Sequence, residues 1–195
     1  MPYQRPVTRS PIVRAFFAFE IPVAVRTRLE TARDGIRRSV PPAKWTRPEG
    51  WHLTVKFLGE QPRDVLEKLT CDVGPRVAGC GGVTATLTGG GFFPSPAKPR
   101  VAWIGGSATG ADPVVGTVEA AAVRAGIPAE RRPWAVHLTM ARLKMRWSGG
   151  AVDRYLEWAQ DLEAMQFVCS DVVLFESRLQ PGGAVYTALE RFPLE

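Results

Sequence analysis

A chain of 195 residues, 45% hydrophobic and 23% charged, can bury a sizeable core and has the composition of a globular protein, not a disordered or fibrous one. Its 25 Lys and Arg against 19 Asp and Glu give a formal charge of +6, which permits a phosphate-bearing partner without establishing one. No apolar run approaches the ~20 residues of a membrane span, and the first residues lack a signal peptide's apolar stretch. Three cysteines with no C-x-x-C pair fit reduced thiols, so a cytoplasmic protein without disulfides or a zinc site is expected.

Residues 1–13 are set apart as an N-terminal arm, with three Pro and two Arg among the first 11. One bilobal domain is expected over 14–195. The aromatic run Ile12 to Phe19 reads as a buried strand. Pro22 starts a helix that carries Val25, Leu29, Ala32 and Ile36 at helical spacing and ends before Pro41-Pro42. An extended piece at Lys44-Trp45-Thr46 and a turn at Pro48-Glu49-Gly50 lead into a strand over 51–58. Gly59 to Pro62 reads as a turn. A helix follows over about 62–77, with Val65, Leu66, Leu69 and Val73 on one side. Val83 to Thr88 alternates with period 2, as a half-buried strand does. Gly89 to Pro96 reads as a flexible, aromatic-tipped loop. Arg100–Gly105 is a strand, 112–125 a helix, 134–142 a strand and 150–164 a helix. Val168–Leu174 and Ala184–Phe192 are closing strands joined through Gly182-Gly183. Each half thus reads strand, helix, strand, helix, strand, a weak internal repeat. The fold expected is α+β: two pseudo-symmetric lobes, each a mainly antiparallel sheet with helices on its outer face, and a cleft between them.

The repeat is sharpest at His52-Leu53-Thr54 and His137-Leu138-Thr139, because the protein has only two histidines and each opens the same tripeptide. On a strand, residues i and i+2 share a face, so each copy presents an imidazole beside a hydroxyl. A helix would set the pair about 200° apart. Histidine's unperturbed pKa lies nearest physiological pH, so two of them can divide proton donation and removal. Arg142 is five residues past His137, an odd offset that a regular strand turns to the other face, so it needs a strand end or a bulge to join them. Lys56 stands at an even offset from His52. Phe92, Phe93 and Trp45 are candidates for stacking a nucleobase, while Trp51, Trp103, Trp134, Ser177 and Tyr186 read as structural. Two histidines with no Asp/Glu cluster fall short of a metal ligand set. Gly89-Gly90-Gly91 lacks the Lys-Ser/Thr ending of a phosphate loop.

The chain resembles the two-histidine (2H) phosphoesterases, and among them the RNA 2′,3′-cyclic phosphodiesterase or 2′–5′ RNA ligase-like family. The resemblance is carried by Arg14-Ala15-Phe16-Phe17-Ala18-Phe19-Glu20, by Trp45 with Trp51 to Gly59, and by Gly91-Phe92-Phe93-Pro94 with Pro99 to Gly105. It continues through His137-Leu138-Thr139-Met140-Ala141-Arg142, Leu174 to Ser177, and Gly183 to Tyr186 with Phe192-Pro193-Leu194. It covers roughly residues 14–195 in family order. One departure is Val136, where the family commonly has Pro. The resemblance implies hydrolysis of an RNA 2′,3′-cyclic phosphate to a 2′-phosphate without cofactor or metal. His52 would be the proton donor and His137 the proton acceptor, with Thr54, Thr139 and Arg142 on the phosphate. Reversible 2′–5′ ligation is a further activity the resemblance implies, and the rival readings are a phosphodiesterase acting on a small cyclic nucleotide or cyclic-phosphate metabolite, and an RNA-binding protein of the same fold without turnover. The expected partner is RNA with cyclic-phosphate ends or a nucleotide, not a membrane, and the expected state is a monomer.

Overall fold

The computed structural model describes residues 10–195. In chain order the elements are β1 (Ile12–Glu20), α1 (Val23–Ser39), β2 (Lys44–Trp45), β3 (His52–Pro62), α2 (Arg63–Val77), β4 (Val83–Phe93) and β5 (Val101–Thr109). They continue as α3 (Ala111–Arg124), β6 (Leu138–Arg142), α4 (Gly149–Asp161), β7 (Met165–Cys169), β8 (Asp171–Gln180) and β9 (Gly183–Pro193). Two antiparallel sheets form, one in the order β3-β1-β8-β9, the other β2-β6-β5-β4-β7. Helices α2 and α3 pack together behind the first sheet, and α4 packs on β4 of the second with α1 beside it. This is the expected α+β architecture with helices outside and a cleft between the sheets. Most of the arm expected at 1–13 lies outside the described residues; the ladder of β1 begins at Ile12.

The walls are not the halves of the sequence. The first sheet takes β1 and β3 from the front of the chain and β8 and β9 from its end, so the segments between them build the second. The residue patterns explain the layers. In β1, Phe17 and Phe19 enter the large core with Leu53, Leu69 and Val118, while Phe16 and Ala18 face the other way and join Val173 and Phe175. Helix α1 inserts Val25 and Leu29 into the large core and Ile36 into a second core with Phe92, Trp147 and Tyr155.

Four stretches differ from expectation. Val168–Leu174 is not one strand: the chain breaks at Ser170, leaving β7 in the second sheet and entering β8 in the first. Gly89, Gly90 and Gly91 belong to β4, not to a flexible loop, because the Trp103 ring on β5 lies where a Gly91 side chain would be: a Cβ there would sit 2.4 Å from the ring. Gly59 to Pro62 continues β3 against β1 rather than turning. Trp134 to His137 lies outside the ladder, which begins at Leu138.

Candidate active site

The two His-Leu-Thr segments are held by matching braces. His52 Nδ1–H donates to the Gly50 carbonyl at 2.8 Å, and His137 Nδ1–H donates to the Ala135 carbonyl at 3.0 Å, each two residues back. This fixes the ring and leaves Nε2 free in both, the atom that can take or give a proton. Val136, in the place of the family's Pro, is buried in the large core and anchors the second segment.

Two tryptophans tie the segments to each other. Trp134, ahead of His137, donates from Nε1 to the Thr54 carbonyl at 2.8 Å. Trp51, ahead of His52, donates from Nε1 to Thr46 Oγ1, which in turn reaches the carbonyls of Thr139 and Met140 at 2.8 and 2.9 Å. Each tripeptide is therefore pinned to the other wall. Among the described residues, neither Thr54 Oγ1 nor Thr139 Oγ1 has a partner in the hydrogen-bond network, unlike Thr27, Thr31, Thr46 and Thr70. Both hydroxyls are free to donate to a ligand.

Bulges decide which cations join them. On β6, Thr139 pairs with Trp103 and Arg142 with Val101, so Met140 is an extra residue in the ladder. A bulge resets the alternation. Trp103 and Val101 share a face of β5, so Thr139 and Arg142 share one too, and the odd offset is cancelled. On β3 the same device works in reverse. Thr54 pairs with Ala18 but Lys56 pairs with Phe17, and a bulge lies between them. Lys56 is thereby turned to the helix side, buried, where Nζ bonds Glu119 at 2.9 Å and the Pro128 carbonyl at 2.8 Å. It adds no charge to the cleft.

Of the three stacking candidates, only Phe93 is placed for it. Its ring is partly exposed and stands edge-on to His137, 5.5 Å between centroids. Phe92 points to the helix side and is buried against Trp147 and Tyr155, 5.9 and 5.0 Å away. Trp45 pairs with the fully buried Ala141, and packs against both cores rather than into the cleft.

The environments of the two histidines are unequal. Phe16 lies against the His52 ring at 4.6 Å, and Tyr186 meets it edge-on at 5.0 Å. Tyr186 was legible only as a structural residue, since nothing in the sequence shows that β9 curls back until its ring meets Gly50. Burial pushes the His52 pKa down to about 4; the Gly50 carbonyl opposes the shift, and charge on His137 adds to it. The two rings thus share one field. A recess of about 230 Å³ opens beside His52, lined by Glu49, Phe175, Tyr186, Ala188 and Arg191 among others. The nearby Glu20 carboxylate is engaged by Arg191, and among the described residues no carboxylate forms an ion pair with His52. Among the described residues no group of three or more His, Cys, Asp or Glu gathers in a way that could hold a metal ion.

Two imidazoles with free Nε2 atoms, two unpartnered hydroxyls and an arginine thus face one cleft. The chain belongs to the LigT-like phosphoesterase family, whose model matches residues 19–103 and 108–186. A protein of Methanothermobacter thermautotrophicus, named RNA 2′,3′-cyclic phosphodiesterase, is 28% identical over 184 residues, covering 93% of this chain and 99% of its own. A Thermus thermophilus protein of the same name is 33% identical over 194 residues, covering 93% and 90%. A crystal structure from Thermus thermophilus superposes with a TM-score of 0.75 at 29% identity, covering 93% of this chain and 97% of that one. No helix among the described residues is long and apolar enough to cross a membrane.

Proposed function

We propose that this enzyme is an RNA 2′,3′-cyclic phosphodiesterase that opens the cyclic ester with water and leaves a 2′-phosphate. The observation that carries the reading is the pair of Nδ1-braced imidazoles pinned across one cleft, their Nε2 atoms free. His137 Nε2 takes a proton from water as its oxygen bonds to phosphorus. The P–O3′ bond breaks, and His52 Nε2–H protonates the departing oxygen. Thr54, Thr139 and Arg142 donate to the non-bridging oxygens, where each bond to a charged acceptor contributes roughly 1.5–3 kcal/mol. Acid, base and charge stabilisation all come from side chains, so the reaction needs no metal. With the 5′-hydroxyl of a second RNA in the place of water, the same base and acid in the same roles form a 2′–5′ linkage as the P–O3′ bond breaks.

The donor role asks for a proton that burial withholds from His52 in the free enzyme. The anionic substrate supplies the missing affinity, so the acid is charged only when there is an ester to cleave. The name shared by the relatives of Methanothermobacter and Thermus supports the same substrate class. The test is hydrolysis of an oligonucleotide ending in a 2′,3′-cyclic phosphate, with chelator present, by wild type, His52→Ala and His137→Ala. Wild type turns over, and each variant loses at least a hundredfold, as removal of a general acid or base does. Activity that requires added metal, or that survives both substitutions, refutes the reading.

A further inference from the structure

Lys44 is the cross-strand partner of Arg142 at the edge of the second sheet. Directly opposed residues have Cβ atoms about 4.5–5.5 Å apart on one face, and like charges so placed are destabilising. Both side chains therefore lie on the cleft side, turned there by the same bulge. Arg47 stands three residues on. The tip of the β8–β9 hairpin leans over both: a Cβ on Gly182 would meet Arg47 Nη2 at 3.1 Å, and one on Gly183 would meet Lys44 Cε at 3.8 Å. Glycine at both places leaves these cations room.

The crowding is uncompensated. Arg28, Arg63, Arg76, Arg124, Arg178 and Arg191 each reach a carboxylate. Among the described residues Lys44, Arg47 and Arg142 reach none, although all three are exposed and free to move. Three adjacent cations without a carboxylate, two of them opposed across a strand pair on the rim of a phosphate cleft, make a place for a second anion.

We propose that Lys44 and Arg47, continuing from Arg142, hold the internucleotide phosphate on the 5′ side of the cyclic end of a single-stranded RNA. The proposal rests on the phosphodiesterase reading for where the RNA terminus lies. It makes the enzyme one that prefers oligonucleotides to cyclic mononucleotides, because only a chain brings a second phosphate to the rim.

The experiment compares wild type, Lys44→Gln/Arg47→Gln and a control of equal charge change on the outer helix α2, Arg63→Gln/Lys68→Gln. Binding of a fluorescent trinucleotide ending in 2′-phosphate is measured by anisotropy over a salt series, against a nucleoside 2′-monophosphate as competitor. Turnover of the corresponding cyclic trinucleotide and cyclic mononucleotide is measured separately. Wild type is expected to favour the trinucleotide tenfold or more in both assays. The rim variant loses most of that ratio, and its plot of log affinity against log salt flattens by about 0.7 for the phosphate lost. The control keeps both. A ratio near one in wild type, a ratio retained in the rim variant, or an equal loss in the control overturns the proposal. If wild type turns over neither substrate yet binds the trinucleotide through Lys44 and Arg47, the rim site stands and the catalytic reading falls.

Discussion

Filling the cleft with a phosphate should give His52 back its proton. In the free enzyme the ring is wedged between Phe16 and Tyr186, and burial lowers its pKa from 6.5 to about 4. Raising it to 7 takes about three units, or about 4 kcal/mol at 1.36 kcal/mol per unit. One negative charge ~4 Å from the imidazolium supplies about 4 kcal/mol at an effective dielectric near 20. The two magnitudes match, so a bound nucleoside 2′-monophosphate should bring the His52 titration close to neutrality. The assay is nitrogen-detected NMR of the two imidazoles, assigned with His52→Asn. In the free protein the His52 ring should stay neutral from pH 8 down to 5, with the proton on Nδ1, and with ligand it should titrate near 7. A free-protein titration at 6.5, or a ring still neutral at pH 6 under saturating ligand, refutes the argument. The same shift has a stability consequence with a definite sign. Between pH 6.5 and 4 the unfolded imidazole binds a proton that the folded one does not. Stability is therefore full above 6.5 and declines as pH falls toward 4, by at most about 3 kcal/mol. Denaturant melts of His52→Asn should lack this component.

Other outcomes follow from the braces and bulges. Trp134→Phe removes the donor to the Thr54 carbonyl and should lower stability by about 1–3 kcal/mol in chemical denaturation, with kcat falling more than KM rises. Lys56→Met should cost about 1–3 kcal/mol in the same melts through its lost bonds to Glu119 and Pro128, while turnover stays within a few-fold. A hundredfold loss of turnover would place Lys56 in the cleft after all. Gly91→Ala drives a methyl into Trp103 and should destabilise by about 1–3 kcal/mol, largely relieved by Trp103→Leu in a thermal melt of the double variant. Additive losses in that double variant would show that the ring is not the obstacle.

The helices and the His-Leu-Thr segments were legible because they rest on local periodicity: Val25, Leu29 and Ile36 bury as their spacing demands, His52 and Thr54 alternate along β3, and Thr139 lies on β6 with His137 just ahead of it. The cations were not legible by the same rule. A single extra residue inverts the parity of a strand, and nothing in Val55 or Met140 announces that it will be that residue. So Lys56, on the right parity, left the site, and Arg142, on the wrong one, entered it. The triple glycine misled for a related reason. Its strand conformation depends on Trp103, a neighbour only through the pairing of β4 with β5. The roles of Trp51 and Trp134 were hidden because a core tryptophan and a bracing one look alike until the partner of the indole N–H is known.

The interleaving of strands also sets when the site comes into being. As the chain is synthesised, both His-Leu-Thr segments and Arg142 have emerged by residue 142, yet β1 waits for β8, pairing residues 15–18 with 173–176. Contacts so far apart along the chain make for slow assembly. Phe175 and Tyr186, which desolvate the His52 ring, and Arg191, which engages Glu20, arrive last. A nascent chain lacking the β8–β9 hairpin holds both histidines, Thr54, Thr139 and Arg142 but not the wall that lowers the proton affinity of His52. His52 acquires its lowered proton affinity only when β9 closes against it.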